Sequence, residues 1–291
     1  GKIYNSNTYS IASATLKYGG IPKILGIAKD NLDSMNQGLK EGLKTDLLLT
    51  TAGVSKGDYD MVKDVLANHG EIDFWSVRMR PAKPLAFGIL KGNKGADVPH
   101  IGLPGNPVSA LVAFEQFARP AIYKMMGKTK FAKPTIRAIL EDPLENVDGR
   151  RVYARAIVTK KKGAYYAKLT GDQSSGVLTS MAKANGLAIC PESIKTIKVG
   201  ALVDVQMFTF IGEFRNGEKH GEGKQYYQNG KIKFEGIWKF DKFYNVTRYD
   251  KNGNIDGKNV NGKWNYFTPL KPTNRVLYRR FVFGKVGWNK S

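Results

Sequence analysis

Apolar positions in the first 128 residues switch between two periods, one near 3.6 and one of short continuous runs, and the alternation predicts successive βα units. A helix carrying Ile11, Thr15, Leu16 and Tyr18 can be capped by Ser6 or Asn7 and is ended by Gly19-Gly20. Ile21 to Ala28 reads as a strand, and Asp30 then caps a helix with Leu32, Met35, Leu39 and Leu43 on one face. Asp46-Leu-Leu-Leu-Thr-Thr51 is the near-continuous apolar run of a strand buried on both faces. After the loop Ala52 to Asp60 comes a helix with Val62, Val65 and Leu66, then strands at Ile72 to Val77 and Leu85 to Leu90, with a turn at Gly92 to Gly95. Ile101-Gly-Leu-Pro-Gly-Asn-Pro107 leads into a last helix through Leu111, Phe114 and Phe117 to Tyr123, with Pro107 suited to its first turn. The expected fold is a mostly parallel α/β sheet with helices on both faces.

From residue 129 the texture changes. Short β-rich runs at Thr135 to Leu140, Val152 to Val158 and Leu202 to Phe208 predict a small β-barrel domain over 129–208, interrupted by Gly171-Asp-Gln-Ser-Ser-Gly176 and a short helix near Leu178 to Ala184. Beyond it, Gly, Asn, Lys, Tyr and Trp recur in a loose period of about twenty residues, which predicts a tail of β-hairpins over 209–291. Phe214, Tyr226, Phe234 and Trp238 are its expected core, and residues after Trp264 carry no pattern and are expected to be poorly ordered.

No uncharged apolar run approaches the roughly 18 residues of a membrane helix. Cys190 is the single cysteine, which suits a reducing compartment, and a cytoplasmic location is expected. Forty-six Lys and Arg against 25 Asp and Glu give +21, of which residues 1–128 carry +5, 129–208 carry +6 and the remainder +10. Such a surplus implies anionic company. No recognition helix, zinc finger or aromatic RNA-binding signature accompanies it, so nucleic acid is not expected. His69, His100 and His220 have no ligand spacing, and none is expected to act in catalysis or hold a metal.

Three strand-to-helix turns carry candidate chemistry, at the sheet end where α/β folds place ligands. In Thr50-Thr-Ala-Gly-Val-Ser-Lys-Gly-Asp-Tyr-Asp60, Gly53 and Gly57 let backbone approach a ligand and Ser55 offers a hydroxyl, which suits a phosphate. Asp58 and Asp60 beside an anion make sense with a Mg²⁺ between them; as a plainer alternative, both simply cap the helix. Arg80-Pro-Ala-Lys-Pro84 holds two cations on stiff backbone, either as an oxyanion clamp or as a solvated basic loop. Leu103-Pro-Gly-Asn-Pro-Val-Ser109 presents Gly105 for close approach, the Asn106 amide and the Ser109 hydroxyl, or else is a rigid connection.

Taken in order, Asn5-Ser-Asn7, Gly26-Ile-Ala-Lys-Asp30, Thr51 to Asp60, Pro81-Ala-Lys-Pro84 and Gly102 to Ser109 resemble the molybdopterin molybdenumtransferases, including the E domain of gephyrin. Gln173-Ser-Ser-Gly176 followed by Ser180-Met-Ala-Lys-Ala-Asn-Gly186 resembles that family's C-terminal β-domain, so the likeness covers roughly residues 1 to 208. The resemblance implies insertion of molybdate, a substrate, into adenylylated molybdopterin with Mg²⁺-dependent release of AMP, in a homodimer. It implies Asp60, Asp30 and Lys83 as catalytic residues and Asp58 and Asp60 at the metal. Ser6, Asn7, Thr51, Gly53, Ser55, Gly57, Arg80, Lys83, Pro104, Gly105, Asn106, Pro107 and Ser109 would contact substrate. The chain departs from the family at Ala52 and Ala82, where glycine is commoner, and at Asn5, where an acid is commoner. Family members also carry a further N-terminal region.

The tail, from Phe210 through Asn229-Gly230 and Phe234-Glu-Gly-Ile-Trp238 to Asn252-Gly253, resembles the MORN repeat, and its charge suits contact with a protein or an anionic membrane surface. Two other functions fit parts of the sequence. A molybdopterin adenylyltransferase has the same fold, but its family shows Gly-Gly-Thr-Gly where this chain has Ala-Gly-Val-Ser and lacks the C-terminal β-domain. A non-catalytic gephyrin-like or MORN-tethered scaffold is the third reading.

Overall fold

Three consecutive leucines fix the depth of the first sheet. In the computed structural model Leu47, Leu48 and Leu49 of β2 (Leu47–Thr51) are all buried, so the strand is covered on both faces. The structure describes residues 4–29, 31–54, 64–66, 68–92, 95–129, 131–208, 210–215, 218–226, 231–240, 242–266 and 280–286, of which 210–215, 218–220, 226, 266 and 280–286 are described by backbone alone.

Contacts divide the chain into one unit of Gly1–Gly127 with Leu277–Ser291 and another of Lys128–Val276. In the first, Leu48 packs with Met35 and Leu39 of helix α2 (Leu32–Gly42), with Leu43 that caps its end, and with Val65, Leu66, Leu90 and Val98. Leu47 and Leu49 point the other way by strand alternation. On the opposite face, helix α1 (Ser6–Lys17) is followed by Tyr18, whose ring stacks on Phe114 and meets Tyr123 edge-on. Helices therefore cover both faces, as expected.

The sheet also holds β1 (Ile21–Ala28), β3 (Gly70–Ser76), β5 (Pro84–Lys91) and β6 (Asp97–Leu103); the short β4 (Met79–Arg80) lies between β3 and β5 in sequence. Its order is β1, the C-terminal strand Arg280–Val286, β2, β6, β5, β3. Pairings from β1 through β6 are parallel, whereas β6–β5 and β5–β3 are antiparallel, so the expected mostly parallel sheet is met in part, with an antiparallel flank at β5 and β3. The connection from Lys91 to Asp97 is too short for a parallel crossover, so β5 and β6 pair as an antiparallel hairpin. The C-terminal strand is a second difference from expectation: residues 280–286 are not an unpatterned end but pair with both β1 and β2.

Caps differ by one residue from those expected. Asn5 caps α1, its side-chain oxygen accepting from the Thr8 N–H, and Asn31 caps α2 by accepting from the Ser34 N–H. The last helix of the unit is α3 (Pro107–Ala113) and α4 (Arg119–Met125) joined by a π-turn over Phe114–Ala118. There the Tyr18 hydroxyl donates its one proton into the carboxylate of the buried Glu115, 2.7 and 2.8 Å from the two oxygens, and that carboxylate sits 3.8 Å from the Arg119 guanidinium. Burial and the Glu115 charge push the Tyr18 phenol far up, so it stays a donor.

In the second unit, β7 (Thr135–Leu140), β9 (Arg151–Lys161), β10 (Ala164–Leu169), β11 (Gly186–Cys190) and β13 (Leu202–Met207) follow the order β10, β7, β13, β11, β9. The pairing of β10 with β9 closes this into a five-stranded barrel. Ala154, Ala156, Val158, Ala188, Val203 and Val205 fill it. The paired β8 (Leu144–Glu145) and β12 (Thr196–Ile197) stand beside it. Arg155 is 1% exposed; its Nε donates to the Ser180 hydroxyl of helix α5 (Leu178–Lys183) and its Nη2 to the carbonyls of Asp172 and Ser174. The serine-rich stretch is thus tied to the barrel by a buried cation. A six-stranded antiparallel meander follows: β14 (Phe210–Arg215), β15 (Glu218–Tyr226), β16 (Ile232–Lys239), β17 (Lys242–Tyr249), β18 (Ile255–Val260) and β19 (Lys263–Tyr266). Its core is Trp238, fully buried, and Val246, packed by Phe234, Phe243 and Trp264. Val246, Phe243 and Trp264 join the expected Phe234 and Trp238, while the side chains of Phe214 and Tyr226 and the Asn216-Gly217 and Asn229-Gly230 turns lie outside what is described.

Candidate functional site

One end of the first sheet gathers the candidate residues. Parallel pairing brings the carboxyl ends of β1, β2 and β6 to the same edge, and the antiparallel register Ala86↔Gly102 puts the start of β5 there too. β2 runs out at Thr51 and turns through Ala52 and Gly53, both left-handed, at φ 70° and 77°. The Ala52 N–H donates to the Leu103 carbonyl at 3.0 Å, which ties this turn to the end of β6. Gly105 lies so close that a methyl there would come 3.4 Å from the Ala52 methyl. From α1, Asn7 reaches across and donates its Nδ2 to the Gly105 carbonyl at 2.7 Å. Asn7, Thr51-Ala52 and Leu103 to Gly105 therefore form one connected wall.

The loop before β5 folds on itself, with the Val77 N–H donating to the Lys83 carbonyl at 2.8 Å. Within it the Arg80–Pro81 bond is cis, and Ala82 is buried at φ 75°. Lys83 is exposed and Arg80 half-buried. Ala52 and Ala82, the two positions where the family commonly has glycine, are thus both left-handed, a conformation that strains any residue with a Cβ by about 1–2 kcal/mol.

Two buried side-chain oxygens in the wall have no hydrogen-bond partner: Thr51 Oγ1, on a residue 2% exposed, and Asn7 Oδ1, on one 3% exposed. A buried polar atom left unsatisfied costs about 1–3 kcal/mol, so each is free to bond a water or a ligand. Behind them, His100 on β6 is fully buried; burial lowers its pKa from the ordinary 6.5 to about 4, and its Nε2 lies 3.0 Å from the Thr50 Oγ1. It is therefore neutral at neutral pH. Under α2, beside the end of β1, a largely apolar cavity of about 280 Å³ is bordered by Gly26 to Ala28, Ser34, Gly38, Leu48 and Thr50.

Among the expected substrate-contacting residues, Asn7, Thr51, Gly53, Pro104 and Gly105 stand in or beside the wall, and Ser6 adjoins Asn7 at the start of α1. Asn106 and Pro107 begin α3 and Ser109 is buried in its first turn. Arg80 and Lys83 share the same sheet end through the start of β5. Asp30, Ser55, Gly57, Asp58 and Asp60 lie outside the described residues. Sequence reasoning set His100 aside; its trace is a lone polar residue inside the apolar strand Val98 to Leu103. Among the described residues no three His, Cys, Asp or Glu gather as a metal cluster, and no helix is long and apolar enough to cross a membrane.

Residues 1–124 match the family described as "Probable molybdopterin binding domain", residues 137–208 the "MoeA C-terminal region (domain IV)" and residues 210–232 the MORN repeat. A molybdopterin molybdenumtransferase from a Nostoc species is 35% identical over 195 residues, 66% of this chain and 44% of that protein. One from Haemophilus influenzae is 30% identical over 214 residues, 72% of this chain and 52% of that protein. The chain spans about half the length of these curated relatives. The solved structure of a molybdopterin biosynthesis MoeA protein from Pyrococcus horikoshii shares its fold with a TM-score of 0.58 at 25% identity, over 71% of this chain and 48% of that one. Over residues 1–208 the chain is thus similar, through two successive domains in the same order, to MoeA and the molybdopterin molybdenumtransferases, and a stretch similar to the MORN repeat follows.

Proposed function

We propose that the chain works in molybdenum cofactor biosynthesis as a molybdopterin molybdenumtransferase, placing molybdate on adenylylated molybdopterin and releasing AMP. The supporting observation is the pair of unpartnered buried oxygens, Thr51 Oγ1 and Asn7 Oδ1, at the carboxyl end of the sheet, beside a loop that carries Arg80 and Lys83. On this reading the Thr51 hydroxyl donates to a phosphate oxygen and Asn7 Oδ1 accepts from a pterin or adenine N–H. Ser6, Gly53, Pro104, Gly105, Asn106, Pro107 and Ser109 shape the wall. Arg80 and Lys83 balance the charge of the incoming oxyanion, which is worth most where water is excluded. Asp58 and Asp60 would hold Mg²⁺, with Asp30 beside them, Ser55 on the phosphate and Gly57 giving it room; these five lie outside the described residues. The ion would supply charge neutralisation at the phosphates. The five-stranded barrel, in the region matching the MoeA C-terminal domain, favours this reading over the adenylyltransferase.

The test is calorimetric titration of the full chain with adenylylated molybdopterin, with and without Mg²⁺ and molybdate, alongside Thr51→Val. A hydrogen bond to a charged group is worth about 1.5–3 kcal/mol, so affinity should fall roughly 10- to 150-fold. Stability should not fall, because the variant removes a buried hydroxyl that has no partner. A folded chain that binds nothing, or a Thr51→Val chain that binds as well as the wild type, overturns this placement.

A further inference from the structure

Thr50 and Thr51 are neighbours in β2, and strand alternation turns them to opposite faces of the sheet. Thr51 belongs to the wall shared with Asn7; Thr50 lies on the α2 face with Leu48 and borders the cavity of about 280 Å³ beneath that helix. We propose that this cavity is a binding site separate from the wall, for an uncharged planar nitrogen heterocycle that presents hydrogen-bond acceptors at its edge. This inference does not rest on the proposed activity.

The lining sets the shape of the occupant. β1 and α2 each bare a glycine to the cavity, Gly26 and Gly38, and nothing stands within 4 Å of where a Cβ would sit on either. Gly26, at φ 88°, belongs to a bulge: it and Leu25 fall between the paired positions Ile24↔Phe283 and Ile27↔Lys285, two residues against one. Gly38 lies inside an 11-residue helix, where glycine is the poorest choice short of proline, and no crowding demands it. Bare backbone on the strand and bare backbone on the helix suit a flat ring, with Met35, Leu39, Leu48 and Leu66 as apolar lining. The volume falls just under the roughly 300–1,000 Å³ of ordinary small-molecule sites, which admits one ring system rather than a whole nucleotide.

The polar groups set its chemistry. His100 Nε2 is 3.0 Å from Thr50 Oγ1, whereas the buried His100 Nδ1 has no partner. A buried N–H without an acceptor costs more than a bare lone pair, so the imidazole proton sits on Nε2 and is donated to Thr50. The Thr50 hydroxyl proton is then left for an acceptor in the cavity. Ser34, which also borders it, accepts from the Lys29 N–H at 2.9 Å and keeps its own proton to donate. Glu41, the charged residue among the described residues bordering the cavity, is already paired with Lys23 and Lys44. Two hydroxyl donors without a free charge select an uncharged acceptor, which the ring nitrogens of a purine or a pterin both supply.

Calorimetric titration of the full chain with adenine, pterin and indole, in the absence of Mg²⁺ and molybdate, tests this. Indole has the flat shape but no ring acceptor. All three should bind at one site per chain, and the tighter of adenine and pterin assigns the ring. Thr50→Val, which exchanges the hydroxyl for a methyl, should weaken adenine and pterin roughly 3- to 10-fold and leave indole within about twofold. Gly38→Leu sends a side chain into the cavity and improves the helix, so it should abolish binding of all three in a chain that unfolds no earlier than the wild type. Hydrogen exchange gives a reading that needs no variant: adenine should slow the amides of 25–28 and 34–39 and leave 103–105 unchanged. A folded chain that binds none of the three, a Gly38→Leu chain that binds them as the wild type does, or protection at 103–105 in place of 34–39 overturns the site. Equal losses of adenine, pterin and indole in Thr50→Val overturn the selection of an acceptor.

Discussion

Replacing Ala52 with glycine should leave the first unit nearly as stable as it is, although a buried alanine is being truncated. At an ordinary buried strand position such as Ala86, fully buried in β5, the change removes a methyl worth about 0.8 kcal/mol and adds glycine's extra backbone entropy, about 0.5–1 kcal/mol. Ala86→Gly should therefore lose about 1.3–1.8 kcal/mol. Ala52 is also buried and suffers the same two losses, but its φ of 70° means that glycine relieves a left-handed strain of about 1–2 kcal/mol. The three effects nearly cancel, and Ala52→Gly should stay within about 1 kcal/mol of wild type. The comparison of the two variants isolates the backbone: Ala52→Gly should be the more stable by about 1–2 kcal/mol. Urea unfolding followed by the exchange of β2 and β6 amides reports on this unit alone. If the two variants lose the same stability within about 0.5 kcal/mol, Ala52 is not strained. The left-handed turn would then be the wrong description of this end of β2.

Four further outcomes follow from the same structure. Tyr18→Phe keeps the ring and removes the hydroxyl that donates into the Glu115 carboxylate, so it should lose about 1.5–3 kcal/mol in urea unfolding; a loss under about 0.5 kcal/mol would mean that the carboxylate finds its bonds elsewhere. His100 titrates near 4 when folded and near 6.5 when unfolded. The unfolded chain therefore binds the proton first, and stability is full above pH 6.5 and declines as pH falls toward 4, by on the order of 3 kcal/mol. His100→Gln should flatten that slope, and an unchanged slope would refute the assignment. Arg155→Met strips the donors from the Ser180 hydroxyl and from the Asp172 and Ser174 carbonyls, so limited proteolysis should cut within 171–176 several times faster, while an unchanged rate would show that the loop holds itself. Trp238→Ala empties the fully buried core of the meander and should lose about 3–5 kcal/mol there, read as lost exchange protection in β16 and β17 with the barrel unaffected.

Where local chemistry alone decides the structure, the sequence is legible. The run Leu47 to Thr51 can only be a strand covered on both faces, and a glycine or proline directly after an apolar run marks the turns at Gly53 and Pro104. These mark the sheet end at which the candidate residues gather. The antiparallel pairing of β5 and β6 went unread although its signal was there, since the short connection from Lys91 to Asp97 cannot carry a parallel crossover. The helix starts at Asn5 and Asn31 were ambiguous by one residue because serine, aspartate and asparagine stood side by side as candidate caps. His100 and Arg155 were not legible as buried groups. A single polar residue in an apolar strand, or one arginine among the cations between Arg150 and Lys162, carries no mark of the partner that accepts it, because Thr50 and the Asp172 and Ser174 carbonyls come from other elements.

The C-terminal strand was the least legible element, for the same reason carried further. Arg280-Phe-Val-Phe-Gly-Lys-Val286 is seven residues long, within the ordinary length of a strand, and has no strict alternation to announce a buried face. What makes it a central strand is the gap between β1 and β2, and that gap is a property of how α2 crosses the sheet rather than of any residue in the tail. A local pattern cannot encode it. A closing contact across more than 220 residues also carries the largest loop entropy of any pairing in the first sheet, so it should form last and open first.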